Sequence, residues 1–164
     1  MKYLITVIAC FLLSFSTEWK SVKINESIEV SMPGVPADEV KNGFTFKKLV
    51  LADSTKFTSG AIDLTRMGVT EAQIQQLAPS EQYKAQFKQG LEMSGKKIVA
   101  EEYTQYNGNY CYQYVLEKEE NGKKVTTDMR CIFFKNFLIQ LSYTHGLKGR
   151  DAESLNRFFN SLKL

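Results

Sequence analysis

The apolar positions of this chain change period three times, and each change marks a different kind of element. In "WKSVKINESIEVSMPGVP", Val22, Ile24, Ile28, Val30 and Met32 alternate with polar residues around Asn25-Glu26. That is the period-2 pattern of a strand, a turn and a second strand ending at Pro33-Gly34. A polar stretch, "ADEVKNG", follows, and then "FTFKKLVLAD" and "TKFTSGAIDLTRM", whose β-branched and aromatic content favours two further strands split at "DS". From Thr70 the period becomes helical. Thr70 and Gln73 stand at capping-box spacing, Ala78-Pro79-Ser80 interrupts, and Ser80 opens a second helix with Tyr83, Phe87 and Leu91 on one stripe.

From Lys97 to Thr144 alternation returns as a long antiparallel meander, and "GRDAESLNRFFNSLKL" closes the chain as a helix capped by Asp151 with Leu155, Phe158, Phe159 and Leu162 inward. Asn107-Gly108 and Asn121-Gly122 are hairpin signals because both residue types accept positive φ, and Lys135-Asn136 makes a third turn. A two-residue loop at Asn107-Gly108 sets Tyr103 opposite Tyr112 and Val99 opposite Leu116. It puts Tyr103, Tyr110, Tyr112 and Tyr114 on one face and Tyr106 on the other. A three-residue loop with a bulge at Gly122 sets Cys111 opposite Cys131 and predicts a cross-strand disulfide. A two-residue turn there slips the pairing by one and puts the sulfurs on opposite faces.

On the bulged register the tyrosine face continues through Asp128, Arg130 and Ile132 to Ile139, Leu141 and Tyr143. Tyr103, Tyr112, Tyr114, Arg130 and Tyr143 are therefore the ligand-binding candidates, offering rings for stacking and a guanidinium for bidentate contact. The same row also suits ordinary cross-strand aromatic pairing, with the hydroxyls at the sheet rim.

The N-terminus changes the picture. "MKYLITVIACFLLSFSTEW" has one lysine, an apolar run from Tyr3 to Leu13 and small residues at Ser14 and Ser16. This is the layout of a secretory signal peptide over residues 1–16, too short to span a bilayer, and it leaves residues 17–164 as a single domain of ordinary size. "VIAC" at residues 7–10 has lipobox form, yet "FLL" follows Cys10 where a lipid-anchored protein carries a polar tether, which argues against an anchor. Export to an oxidising compartment, secreted or periplasmic, suits the paired Cys111 and Cys131.

Lys and Arg total 21 against 18 Asp and Glu, a net +3 that drops by one with Lys2. A balance so near neutral argues against a general nucleic-acid binder. Lys84, Lys88 and Lys96 gather around the outer side of the second helix, as a solvated face or as a contact for an anionic membrane surface.

His145 is the single histidine. It is a poor basis for a zinc or copper site, which needs three or four ligands, so neither metal nor cofactor is expected. Any Ser-His-acid arrangement would have to use it, without a nucleophile elbow to accompany it. No phosphate-binding loop or dinucleotide fingerprint is present.

The order of elements, with "IEVSMPGVP" near the start and "AESLNRFFNSLKL" at the end, resembles the PsbP-like family of small exported bacterial proteins, including the DcrB type. The resemblance implies an α+β fold in which an antiparallel sheet is flanked by helices as an α/β/α sandwich. It also implies a non-enzymatic binding or accessory role, with no catalytic residues to carry over. The expectation is an exported protein of the bacterial cell envelope with a protein or small-molecule partner. The alternatives are a small secreted hydrolase using His145 and a peripheral protein on an anionic membrane surface.

Overall fold

A computed structural model describes residues 18–164, and the leader assigned to residues 1–16 lies outside them. Among the described residues nine strands and three α-helices run in the order β1 (Lys20–Lys23), β2 (Glu29–Met32), β3 (Ala37–Lys41), β4 (Phe44–Val50), β5 (Lys56–Asp63), α1 (Glu71–Leu77), α2 (Glu81–Met93), β6 (Lys97–Tyr106), β7 (Asn109–Glu120), β8 (Lys123–Phe134), β9 (Phe137–Thr144) and α3 (Ala152–Asn160). β1 and β2 form a separate hairpin. The other strands make one antiparallel sheet in the order β3-β4-β5-β9-β8-β7-β6. Two meanders, β3 to β5 and β6 to β9, thus join along β5 and β9, where Lys56 faces Thr144 and Asp63 faces Phe137.

The local chemistry behind these elements is direct. Thr70 Oγ1 accepts from the Gln73 N–H at 3.3 Å while Gln73 Oε1 accepts from the Thr70 N–H at 2.8 Å, so both members of the capping box are in place. Ser80 caps α2 through the Tyr83 N–H, and Asp151 caps α3 through the Glu153 and Ser154 N–H groups. These bonds to Ser154 and Glu153 hold the Asp151 carboxyl below its ordinary value. At the hairpin tips Asn107 and Gly108 adopt φ of 50° and 77°, and Asn121 and Gly122 adopt 53° and 71°, as tight two-residue turns demand.

Helices cover both faces of the sheet. On one side β1, β2 and α3 pack on Phe57, Cys111, Ile132, Ile139, Leu141 and Tyr143. There the Phe57 ring meets those of Tyr143 and Phe158 edge-on at 5.1 and 5.3 Å. On the other side α1 and α2 pack on Tyr112, Tyr114, Leu116, Met129, Cys131 and Phe133. Each of the fully buried rings contributes about 1.5–3 kcal/mol of transfer free energy.

Four sequence expectations change. "ADEVK" is strand β3, an edge strand whose Lys47–Asp38 and Lys48–Glu39 cross-strand pairs with β4 replace an apolar stripe. Its turn is another Asn-Gly, at residues 42 and 43. Val99 does not face Leu116, because a register shift between Ile98 and Ala100 leaves it as a bulge.

The turn at Asn121-Gly122 has two residues and pairs Glu120 with Lys123, so Cys111 faces Ile132 and Cys131 faces Tyr112. The expected disulfide is therefore absent. Both cysteines are free and buried, one in each core, on opposite faces of the sheet. The same one-residue slip carries Arg130, which faces Gln113, and Tyr143 away from the tyrosine face to the α3 face.

Candidate functional site

The five candidates divide three to two across the sheet. Tyr103, Tyr112 and Tyr114 lie under α1 and α2, with Tyr110 beside them, while Arg130 and Tyr143 lie under α3. Tyr106 also lies on the α3 face, as the hairpin count requires, and donates to the Leu162 carbonyl at 2.8 Å.

Within the first group the roles separate further. Tyr112 and Tyr114 are buried at 1% and 2% exposure, and burial pushes both phenols well above the ordinary tyrosine value. The Tyr112 hydroxyl donates to the Ala78 carbonyl, tying β7 to the corner between α1 and α2. The Phe87 ring of α2 stacks on Tyr114 at 5.9 Å and meets Tyr112 edge-on at 5.4 Å. These two tyrosines form the bed of the helical layer.

Tyr103 and Tyr110 are half-buried. They line an open cleft of about 410 Å³ between the Ala78-Pro79 corner and the β6–β7 edge. Lys84 projects into it with its ammonium 4.8 Å from the Tyr103 ring centre, while also pairing with Glu81 at 2.7 Å. Tyr114 Oη lies 3.4 Å from Tyr103 Oη, so the buried tyrosine braces the one at the cleft.

On the α3 face Arg130 is a clamp. Its Nε and Nη2 donate to Gln113 Oε1 at 3.2 and 3.1 Å, and its Nη1 donates to the Phe159 carbonyl at 3.2 Å. The guanidinium also sits 4.8 Å over the Phe159 ring, at the C-terminal end of α3 where a cation complements the helix dipole. Tyr143 is 1% exposed, and its hydroxyl accepts from the Asp151 N–H at 3.3 Å.

A groove of about 280 Å³ runs beside Arg130, floored by Gln113 and Asp128 and bounded by Glu102, Arg150 and Asn156. Asp128, at 5% exposure, accepts from Arg150 Nη2 at 2.9 Å and lies 2.6 Å from His145 Nε2. The single histidine thus has a carboxylate partner, and among the described residues no hydroxyl bonds its other ring nitrogen. No three His, Cys, Asp or Glu side chains gather at metal-binding spacing among the described residues.

The helix lysines do not form a common face. Lys84 is drawn into the tyrosine cleft and Lys88 pairs with Glu101 at 2.8 Å. Lys96 turns the other way, into a concavity that sequence reasoning missed. This basin of about 340 Å³ lies on the same side of the sheet as α2, where the helices leave the strands uncovered. Its floor is Thr58 of β5, Thr127 of β8, and Gln140, Ser142 and Thr144 of β9, and its rim carries Lys41, Lys48, Lys56, Lys96 and Lys118 with Glu117 and Glu120 among them. The signal was the alternation of "IQLSYT" over residues 139–144, which marks Gln140, Ser142 and Thr144 as one polar row. The lysines come from positions too scattered to be grouped without the register.

Among the described residues no helix is long and apolar enough to cross a membrane. No family model matches the chain, so the PsbP-like resemblance has no family match, and no curated protein matches it. Several solved structures are similar. One is LpqN of Mycobacterium tuberculosis, described as involved in cell envelope biogenesis, at 13% identity over 89% of this chain and 90% of that one, TM-score 0.47. Another is a protein of unknown function from Pseudomonas aeruginosa, at 13% identity over 84% and 85%, TM-score 0.46. A Bacteroides thetaiotaomicron structure matches at 15% identity over 83% of this chain but 44% of its own length, TM-score 0.47.

Proposed function

We propose that the chain is an exported, non-enzymatic binding or accessory protein of the bacterial cell envelope. Its recognition site is the cleft at Tyr103, Tyr110 and Lys84. The export half of this reading rests on the leader pattern of residues 1–16. The binding half rests on one observation: two half-buried tyrosines and a lysine ammonium line an open cleft of ligand size, with Tyr112 at its base held in the core beside Tyr114. Rigid aromatic walls with a few polar tips suit recognition of a polar ligand or an extended peptide.

The test is a thermal-shift screen of oligosaccharides and short peptides on the secreted form, repeated with Tyr103→Leu and Tyr110→Ala, with each hit assayed by mass spectrometry for turnover. A stabilising ligand that both variants lose and that is recovered unchanged supports the reading. Conversion of the ligand, or unchanged binding in both variants, refutes it.

The second reading, a small secreted hydrolase, is favoured by the 2.6 Å contact between His145 and Asp128. Against it, Asp128 is shared with Arg150, which precedes the α3 cap, so the cluster also serves to fasten α3 to β8. Ester hydrolysis that His145→Ala abolishes without lowering the melting temperature would establish the hydrolase.

A further inference from the structure

We propose that the lysine-rimmed basin on the open part of the sheet is a second binding site, separate from the tyrosine cleft, and that it takes a small ligand carrying phosphate groups. Three observations carry this. The first is charge that is only partly compensated. Glu39 pairs with Lys41 and Lys48 at 3.0 and 2.9 Å, Glu120 with Lys118 at 3.7 Å, and Glu117, also in the wall, with Lys124 at 2.8 Å. Lys56 and Lys96 have no carboxylate partner among the described residues, although both are half-buried.

The second is what that placement costs. Burial holds the Lys96 ammonium below the ordinary lysine value, and the like charges of Lys118 and Lys41 act in the same direction. An unpaired, partly desolvated ammonium beside other lysines is unfavourable to the free protein, and a bound anion would remove the penalty. The third is the floor. Thr127 and Thr144 hydroxyls share one hydrogen bond at 3.0 Å and Gln140 Nε2 donates to Ser142 Oγ at 3.3 Å, which leaves these groups further capacity to bond a polar ligand body. Lysine is a point-charge phosphate binder, and the lysines stand on both sides of the floor, Lys41, Lys48 and Lys56 on β3, β4 and β5, and Lys118 on β7 with Lys96 just before β6. A ligand with more than one anionic group fits that arrangement, and the volume is in the small-molecule range.

The chemistry is shared by a soluble phosphate ester and by a phospholipid headgroup, and the experiment separates them. Calorimetry with pyrophosphate, at low and at physiological salt, is run on the wild type, Lys96→Gln, Lys56→Gln and Lys23→Gln. The last removes an exposed β1 lysine outside the basin and matches the charge change. Sedimentation with phosphatidylglycerol vesicles, with and without pyrophosphate, forms the other arm. Pyrophosphate binding weakened about tenfold or more by either basin substitution and unchanged by Lys23→Gln is the expected result, since a charge-assisted bond carries that much.

Vesicle binding that pyrophosphate displaces assigns the ligand to a headgroup. Pyrophosphate binding without vesicle binding assigns it to a soluble ester. Lys96→Gln is expected to melt no lower than the wild type, so its lost affinity is not lost fold. Absence of binding in both arms overturns the proposal, as does an equal loss in Lys23→Gln, which would report only the diffuse field of the surface.

Discussion

Replacing Tyr112 by Phe removes a single oxygen and tests what that ring does. The hydroxyl is the hydrogen-bond partner of the Ala78 carbonyl, and both residues are 1% exposed, so the carbonyl cannot turn to water when the hydroxyl is lost. A buried acceptor left unpaired costs about 1–3 kcal/mol. For a chain of this size each kcal/mol lowers the melting temperature by about 2–4 °C, so a drop of roughly 2–12 °C is expected. Tyr103→Phe is the matched control. Tyr103 is half-buried, and the bond its hydroxyl accepts from the buried Tyr114 Oη is long at 3.4 Å, so the loss should stay at the low end of that range, at about 1 kcal/mol or less. Differential scanning calorimetry of the two variants decides the matter. Equal shifts, or a shift below 1 °C for Tyr112→Phe, would refute the division of the tyrosines into a structural pair and a cleft pair.

Because Cys111 and Cys131 lie in separate cores, reductant should leave the melting temperature unchanged. Burial, which pushes the Cys111 thiol up to about 11, should also keep both sulfurs inert to Ellman's reagent until denaturant is added, and a fall of several degrees on reduction would contradict the register. Alkaline pH should destabilise the fold. The phenols of Tyr112 and Tyr114 titrate higher in the folded than in the unfolded chain, so their contribution is complete below the unfolded value near 10 and is lost as pH rises above it, to be read as a falling urea midpoint in that range. Ser59 is fully buried and its hydroxyl has no hydrogen-bond partner, so Ser59→Ala should raise stability by about 1 kcal/mol in urea denaturation; a loss of that size would mean the hydroxyl is satisfied.

How much of this was legible depends on whether a signal was local. The caps at Thr70, Ser80 and Asp151 and the turn at Asn107 are written in two to four residues each and form as the sequence predicts, and Asn121 marks the place of a turn though not its length. The Asn107-Gly108 hairpin also placed four tyrosines on one face and Tyr106 on the other. The next hairpin shows the limit. Asn121-Gly122 suits a two-residue turn and a bulged three-residue one alike, and the choice between them reverses every side chain of β8. The bulged choice created both the disulfide and the union of Arg130 with the tyrosines, and neither survives. Strand β3 was hidden for a different reason. An edge strand needs no apolar stripe, so the charged "ADEVK" carried no alternation to read.

The seam between β5 and β9 has a consequence for how fast the protein forms. Every other pairing in the large sheet joins strands consecutive along the chain, and those hairpins can close early and cheaply. The seam alone must bring Lys56 to Thr144 and Asp63 to Phe137, across a loop that contains both α1 and α2. Closing a long loop is entropically costly before any contact repays it, which makes this step the expected bottleneck. The two meanders should therefore acquire protection from hydrogen exchange independently, and the amides of β5 and β9 that bond across the seam, rather than those bonded to β4 and β8, should be the last to gain it.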